Sequence, residues 1–292
     1  MRKRLQTLWR YCGQCLFFGV CVILSGQEIV AAAAGLSDYD AISVYSQEDE
    51  SRYSIFLTIQ KNGAWQTPVV LSDNDYLNIV PSLAVNDKGE IWVVWAVFHK
   101  GETSLYMKQY SNGAWSKEEK IETGQASSIA PSLIFDADNV LWLVWAGDDG
   151  QDDDIYFSRW NGANFEPPSR ITDNEVPDVQ PVLGLTDEGI PWVQWQFYGN
   201  DGYVPRYATW NPDKSEWVIS TQEEEENDVP LKKAMTLKSS DDKSSDQVSS
   251  FDVPGFIEKP KTASFYIPGK QVQSIPYRMV EEYLQGGTNE TK

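Results

Sequence analysis

A pair of tryptophans separated by two residues recurs at a constant interval of 50 residues along this chain. The stretches that contain the pair are rich in β-branched and aromatic residues and lack the 3.6-residue periodicity of an amphipathic helix. A repeat of about 50 residues with this composition is typical of a repeated all-β unit. The pattern therefore predicts a β-propeller. The three clearest copies of the pair are Trp92 and Trp95, Trp142 and Trp145, and Trp192 and Trp195.

Other features of the sequence recur at this interval or within one residue of it. A proline-containing segment precedes each tryptophan pair, and an Asn-Gly turn signal accompanies each copy. Tyr45 lies 50 residues before Trp95, so a more divergent copy comes first and four copies are visible. The proline segments are Pro81-Ser82-Leu83, Pro131-Ser132-Leu133 and Pro181-Val182-Leu183, and the turns are Asn62-Gly63, Asn112-Gly113 and Asn161-Gly162.

Each repeat predicts four short strands separated by turn residues. Four antiparallel strands in a unit of about 50 residues form one blade of a propeller, which avoids exposed sheet edges by closing into a ring. We place the repeats within residues 37–238, with blades at about 41–90, 91–140, 141–190 and 191–238. In the second blade the predicted strands are Ile91–Ala96, Ser104–Tyr110, Trp115–Ile121 and Ala130–Phe135.

Four blades form a small ring, and three ways of closing it are open. The repeats can close on themselves, a terminal segment can supply a strand, or two chains can join as a homodimer. Ser264–Ile267 is the best candidate for a closing strand. It belongs to a C-terminal strap, residues 251–292, which follows a Ser/Asp-rich linker at 239–250 and ends near a short predicted helix at Tyr277–Leu284. The strap is expected to pack on the propeller or to bind a partner.

The strand Ile91–Trp95 is apolar on both of its alternating faces. A strand with one wet face would alternate apolar and polar residues, so this strand is expected to be covered on both sides. Neighbouring blades provide such cover. We therefore expect Trp92, Trp142 and Trp192 to fill the space between blades.

The first 34 residues have the features of a signal peptide. Four basic residues precede an apolar stretch at Leu16–Ser25, and the small residues Ala31–Ala34 suit a cleavage site. We expect export to a secreted or periplasmic location, with no stable membrane span after cleavage; a retained anchor is the alternative. Cys12, Cys15 and Cys21 all lie in this segment, so a mature chain would contain neither a disulfide nor a thiol nucleophile.

The charge of the chain excludes one class of partner. The net charge is −19, and the signal segment carries four of the 24 basic residues but one of the 43 acidic ones. The exported chain is therefore more acidic still. Such a protein repels phosphate backbones and anionic lipid surfaces, so nucleic acid is not an expected partner.

Two segments resemble a known repeat motif. The segments Asp87-Lys88-Gly89-Glu90-Ile91-Trp92 and Asp187-Glu188-Gly189-Ile190-Pro191-Trp192 resemble the Asp-box, or bacterial neuraminidase repeat, which runs Ser-x-Asp-x-Gly-x-x-Trp. Val85 and Leu185 stand where the motif has its leading Ser or Thr. The resemblance covers roughly residues 37–238 and implies a member of the sialidase-like propeller superfamily.

The same resemblance implies a test for sialidase activity. A sialidase of this family needs three arginines that clamp the substrate carboxylate, a tyrosine nucleophile with a glutamate, and an aspartic acid proton donor. None of the arginines beyond the signal segment lies in the family's Arg-Ile-Pro context, the nearest being Arg170-Ile171-Thr172. We therefore predict no catalytic residues. The single histidine, His99, also argues against a histidine-based metal site or triad.

One loop is unusually acidic. Asp148–Asp154 places five carboxylates within seven residues. Carboxylates are the hard oxygen ligands that calcium prefers, but the spacing does not match an EF-hand. We interpret the segment as a solvated hairpin turn, with calcium binding as the less favoured alternative, and we predict no metal and no cofactor.

A ligand surface is predicted from the aromatic residue that recurs near the end of each inner strand. These aromatics are expected to ring one mouth of the propeller axis and to stack on sugar faces or peptide side chains; inter-blade packing is the alternative. The predicted ligand-binding residues are Tyr45, Trp95, Trp145, Trp195, Gln196 and Tyr198, with Tyr203 beside them.

These features favour an exported binding protein without catalytic activity. Its expected role is lectin-like recognition of a glycan, or recognition of a protein, through one face of the propeller. A scaffold in a cell-envelope assembly is the first alternative, suggested by the acidic linker and the strap. A sialidase-type glycoside hydrolase is the second.

Overall fold

The computed structural model describes residues 39–49, 52–199 and 202–220, together with two C-terminal strands at 262–266 and 274–276. Every regular element in these residues is a β-strand, and no helix among them is long and apolar enough to cross a membrane. The predicted signal segment, the linker at 239–250 and the helix at Tyr277–Leu284 lie outside the described residues.

The strands form four antiparallel sheets, numbered here in chain order. Sheet 1 contains β1 (Ala41–Asp49), β2 (Arg52–Lys61), β3 (Ala64–Trp65), β4 (Val69–Val70), β18 (Thr262–Tyr266) and β19 (Ser274–Pro276). Sheet 2 contains β5 (Leu77–Val85), β6 (Ile91–His99), β7 (Glu102–Ser111), β8 (Ala114–Trp115) and β9 (Glu119–Lys120). Sheet 3 contains β10 (Ser127–Phe135), β11 (Leu141–Asp148), β12 (Asp153–Arg159) and β13 (Ser169–Arg170). Sheet 4 contains β14 (Asp178–Leu185), β15 (Pro191–Gly199), β16 (Gly202–Asn211) and β17 (Glu216–Ser220).

The predicted blades are confirmed as sheets, but the predicted grouping of strands within a blade was wrong by one strand. Ala130–Phe135 was assigned to the sheet that begins at Ile91, whereas β10 pairs with β11 of the following sheet. The cause is the turn between these strands. Asp136 accepts backbone hydrogen bonds from Asp138 and Val140, and this tight turn folds β10 and β11 into a hairpin.

The recurring proline marks a bulge in the first strand of sheets 2, 3 and 4. In each strand the residue before the proline has a positive φ, and the pairing register shifts at that point. Proline lacks the N–H that a ladder position would use, so a bulge accommodates it. The residues with positive φ are Val80 (49°), Ala130 (54°) and Gln180 (54°).

The hydrophobic core lies between the sheets. Trp95 and Val93 belong to the cluster between sheets 1 and 2, whereas Trp92 and Val94 belong to the cluster between sheets 2 and 3. A third cluster of the same kind joins sheets 3 and 4. The double-sided cover expected for Ile91–Trp95 is therefore confirmed. Each fully buried large apolar side chain contributes about 1.5–3 kcal/mol of transfer free energy.

Serine hydroxyls link the first strands of neighbouring sheets around the axis. Each is fully buried and accepts a hydrogen bond from a backbone N–H of the next sheet, which explains the serine in the Pro-Ser-Leu repeat. The three links run from Leu83 to Ser264 (3.3 Å), from Leu133 to Ser82 (3.1 Å) and from Leu183 to Ser132 (3.0 Å).

The C-terminal strand β18 completes sheet 1. It pairs antiparallel with β1, and Ser264 takes the position that Ser82 holds in sheet 2. The predicted closing strand Ser264–Ile267 is therefore confirmed for Ser264–Tyr266, and Ile267 lies outside the described residues. Strand β19 pairs with β18 and contacts β5 and β14, the first strands of sheets 2 and 4. The architecture is the predicted four-bladed β-propeller, with its sheets referred to below as blades 1 to 4.

Candidate functional site

One end of the propeller gathers two kinds of connection, and we call it the loop face. The hairpins between the second and third strands of each blade lie there, as do the crossing connections 71–76, 121–126 and 171–177 that lead to the next blade. Loops held by a rigid scaffold commonly carry binding residues. The loop face is therefore the first place to look for a site.

The four recurring aromatics predicted to contact a ligand are not on this surface. Tyr45, Trp95, Trp145 and Trp195 are each at most 2% exposed. The three indole N–H groups donate to Asn78 Oδ1 (2.8 Å), Gln125 Oε1 (3.2 Å) and Asp178 Oδ1 (2.6 Å) respectively.

Tyr45 stacks on Phe56 with ring centroids 5.7 Å apart, and burial raises the pKa of its hydroxyl. Side chains so covered offer no face to a ligand. The ligand-binding role of these four aromatics was wrong, because adjacent blades cover the part of each strand in which they lie.

Tyr198 lies three residues beyond Trp195 on the same strand and is 49% exposed. Its cross-strand partner is Tyr203, which is 56% exposed, and the two rings meet edge to face with centroids 5.1 Å apart. Gln196 lies between Trp195 and Tyr198 and is partly buried. The prediction that Gln196 and Tyr198 contact a ligand stays a prediction, with both residues at the loop face of blade 4.

Blade 2 presents a second aromatic surface that sequence reasoning missed. Tyr76 and His99 pack together with ring centroids 4.0 Å apart. Phe98 and Leu77 are opposite each other across the β5–β6 pair, and both are exposed. We call these four residues the blade 2 patch, and Tyr198 with Tyr203 the blade 4 patch. The available signal was the repeat itself, since Phe98 lies two periods before Tyr198.

Blade 3 carries carboxylates at the equivalent place. Arg170 lies among them, with its guanidinium 2.6 Å from Asp149, 3.0 Å from Asp154 and 2.6 Å from Asp173. The same guanidinium lies over the ring of Tyr156, 5.5 Å from its centroid. Asp154 is fully buried, so Arg170 neutralises a charge that water does not reach.

The pKa values in this hairpin diverge according to burial and partners. Burial raises the pKa of Asp154 to about 6, against the opposing effects of the Thr172 hydroxyl and of Arg170. Burial, followed by the charge of Asp149, raises the pKa of Asp152. Asp149 moves the other way, because the N–H of Gln151 and the guanidinium of Arg170 lower its pKa. The hairpin thus contains carboxyl groups that ionise at well-separated pH values.

The acidic hairpin also contains the group of carboxylates best placed to hold a cation among the described residues. Oxygens of Asp149, Asp152 and Asp154 lie within 4.8 Å of one another. Arg170 already binds two of these three residues. The guanidinium of Arg170 thus supplies the positive charge that a calcium ion would bring to these carboxylates. A hairpin turn without a metal therefore accounts for the cluster.

The described arginines do not form a carboxylate clamp. Arg52 pairs with Asp75, and Arg159 pairs with Glu166 at 3.0 Å. Arg170 is taken up by its three carboxylates, and Arg206 lies over the ring of Phe197. Three of these four described arginines are already paired with carboxylates of the protein, which leaves them unavailable to clamp a substrate carboxylate.

Comparison with known proteins gives structural similarities of low identity. No family model matches the chain, and no curated protein is similar to it. A protein of unknown function from Dyadobacter fermentans is 13% identical, with a TM-score of 0.47, over 57% of this chain and 58% of that one. A polysaccharide lyase, an ulvan lyase, is 14% identical, with a TM-score of 0.44, over 66% and 55%.

The endo-arabinase from Bacteroides thetaiotaomicron is 15% identical, with a TM-score of 0.44, over 81% of this chain and 91% of the enzyme. The chain spans little more than half the length of the first two proteins. Similarities of this size say nothing about ligand or activity, which have to be argued from the residues of this chain.

Proposed function

We propose that this protein is a carbohydrate-binding protein that recognises its ligand through the loop face, with no catalytic step. The observation that carries the proposal is the exposure of two aromatic patches at matching positions in blades 2 and 4. Tyr198 and Tyr203 leave about half of their surface in water, while Trp195 on the same strand is covered. Aromatic faces of this kind stack on sugar rings.

The arrangement of the blades supports a ligand of more than one sugar unit. Blades 2 and 4 are separated by blade 3 on one side and by blade 1 on the other. A chain of sugars that reached from the blade 2 patch to the blade 4 patch would pass over the axis. Two separated stacking sites give higher affinity together than either gives alone.

The charge of the loop face restricts the ligand further. The hairpin of blade 3 holds partly buried carboxylates between the two patches, the exposed Asp173 lies beside them, and Arg170 is the described cation that contacts this group. Sulfated or carboxylated sugars would be repelled from this face. We therefore expect a neutral oligosaccharide.

A glycan array with the full chain tests the proposal. The wild type is expected to bind neutral oligosaccharides and to ignore sulfated and sialylated ones at low salt. The double variant Tyr198→Ala/Tyr203→Ala should weaken binding at least about tenfold, which corresponds to about 1.4 kcal/mol. A wild type that binds no glycan on the array, or a double variant that binds as well as the wild type, would contradict the proposal.

A matched control is available on the outer edge of the same blade. Val218 and Ile219 of β17 are each 46% exposed, close to the exposure of Tyr198, but they belong to the outermost strand. The variant Val218→Ser/Ile219→Ser should leave glycan binding unchanged. Phe98→Ala/His99→Ala should weaken binding as the tyrosine variant does, because it removes the other patch.

A further inference from the structure

Among the four described blades, blade 1 is the one whose first strand, β18, does not directly precede its second strand, β1, in the sequence. In blades 2, 3 and 4 the first strand and the second are joined by a tight turn, as between Val85 and Ile91. In blade 1 the first strand is β18, which follows β17 only after residues 221–261. The contacts of β18 with β1 are thus formed between distant parts of the chain.

The position of β18 is that of an inserted strand. It pairs with β1 on one side, with Val44 opposite Ser264, and with β19 on the other. Ser264 also accepts a hydrogen bond from Leu83 of blade 2. A β18 strand from a second copy of the chain could form the same pairing with β1 and the same hydrogen bond to Leu83.

The junction between blades 4 and 1 lacks the link found at the other three. Val182 in β14 stands where Ser82 and Ser132 stand in blades 2 and 3, and valine has no hydroxyl to accept a hydrogen bond. Blades 1 and 4 also contain buried polar atoms for which the described residues offer no partner, Ser43 Oγ and Trp192 Nε1. A buried polar group without a partner costs about 1–3 kcal/mol, so these two atoms lower the stability of the blades on either side of the junction.

We infer that two copies of this chain can exchange β18, each supplying the closing strand of the other. The connection is long enough for this, since a chain of roughly 40 residues reaches up to about 140 Å when extended. A tethered strand competes at an effective concentration on the order of 1 mM. The closed monomer should therefore dominate at micromolar concentration, and the exchanged dimer should become substantial near millimolar concentration.

Disulfide trapping between differently tagged chains tests the exchange. In a background with Cys12, Cys15 and Cys21 changed to serine, full-length Val44→Cys is mixed with full-length Ser264→Cys, and oxidised glutathione is added. The two introduced thiols form one disulfide and release two protons, while oxidised glutathione is reduced to two glutathione molecules. Mixed dimers should form at a rate that is at least about tenfold higher at about 1 mM than at about 10 μM chain.

Two controls make the outcome decisive. The double variant Val44→Cys/Ser264→Cys in one chain should close its disulfide within the monomer, which shows that the thiols fit the fold. A mixture of Val44→Cys with Leu57→Cys should give no mixed dimer, because β1 and β2 form a local hairpin in which Val44 is opposite Leu57. If the double variant closes but the Val44→Cys and Ser264→Cys chains never cross-link, β18 is not exchanged and the inference is wrong.

Discussion

The hairpins between the second and third strands of blades 3 and 4 are at equivalent positions on the propeller. The side chains of the blade 3 hairpin bind other groups of that blade, whereas Tyr198 and Tyr203 of the blade 4 hairpin are exposed. Asp148 is directly opposite Asp153 in blade 3, and Tyr198 is directly opposite Tyr203 in blade 4. The acidic hairpin is bound internally: Asp148 accepts a hydrogen bond from the N–H of Gly150, and its neighbours hold Arg170. The two tyrosines contact each other and leave about half of their surface in water.

The difference shows that equivalent hairpins of one repeat can hold side chains that bind one another in one blade and exposed aromatic rings in another. In blade 3 the polar groups satisfy one another, so changing one of them alters the free energy of unfolding. In blade 4 the aromatic rings gain little from folding, and the proposed binding role would account for their exposure. Substitutions of the bound polar groups of blade 3 should therefore change the free energy of unfolding more than substitutions of the blade 4 tyrosines.

Removing the cation of blade 3 should have the largest effect. Arg170→Ala leaves the fully buried Asp154 without its positive partner. Breaking a buried ion pair costs about 3–5 kcal/mol, and because the Arg170 side chain is about one third exposed we expect roughly 2–3 kcal/mol. Urea unfolding at neutral pH measures this loss. The control is Arg52→Ala, whose partner Asp75 is highly exposed, with an expected loss below about 0.5 kcal/mol. Equal losses in the two variants would show that burial of Asp154 does not matter.

The pH dependence of stability should separate two carboxylates of the same hairpin. The pKa of Asp154 is raised to about 6, so the folded chain keeps this proton while the unfolded chain loses it as the pH rises from about 4. The free energy of unfolding should therefore fall between about pH 4 and 6, on the order of 1–2 kcal/mol, and Asp154→Asn should flatten that part of the profile.

The pH dependence expected from Asp149 is opposite to that expected from Asp154. Its pKa is lowered, so its contribution is present above the ordinary aspartate pKa and is lost as the pH falls through the lowered value. Asp149→Asn should therefore be less stable than wild type at neutral pH and equal to it in strong acid. Unfolding midpoints from about pH 2 to 8 check both variants. Profiles that shift in the same direction would contradict the assignment of opposite pKa changes.

The sequence predicted the blades because their spacing is a property of the chain alone. Trp92 and Trp142 recur at a fixed interval, and Ile91–Trp95 is apolar on both faces, so a stack of sheets follows without coordinates. The repeat did not predict which strands belong to the same blade. The connections 86–90 and 121–126 are similar in length, yet the first closes a hairpin and the second crosses to another sheet. Whether a connection closes a hairpin or crosses to another sheet depends on which strands pack together in the folded chain.

The sequence predicted only part of the candidate site, because exposure also depends on how the blades pack. Trp195 and Tyr198 lie three residues apart on one strand, and both are aromatic. Which of the two is buried depends on how far the neighbouring blade extends along the strand. The sequence of one strand does not contain this information. Tyr76 and His99 were missed because they are distant in sequence and meet only when β5 pairs with β6.

Relieving the repulsion in the acidic hairpin should have a smaller effect, of opposite sign. Asp153 has a raised pKa because of burial first and then the charges of Asp148 and Asp152. Like charges directly opposite each other on paired strands are destabilising, so Asp153→Asn should stabilise the fold by about 0.5 kcal/mol at neutral pH. The gain should vanish in acid, where both carboxyl groups are protonated. Thermal unfolding at the two pH values measures it. A loss of stability at neutral pH would mean that Asp153 accepts a stabilising hydrogen bond that outweighs the repulsion.

A small effect on stability is expected where the effect on binding is largest. Tyr198→Ala/Tyr203→Ala removes one cross-strand aromatic pair, which contributes about 0.2–1 kcal/mol, and it opens no cavity because both rings are exposed. We expect a loss of about 0.5 kcal/mol in urea unfolding, with an unchanged dependence on denaturant. A loss above about 2 kcal/mol would place the tyrosines in the folded core. Their exposure would then need no ligand to explain it, and the contrast between blades 3 and 4 would no longer support a binding surface.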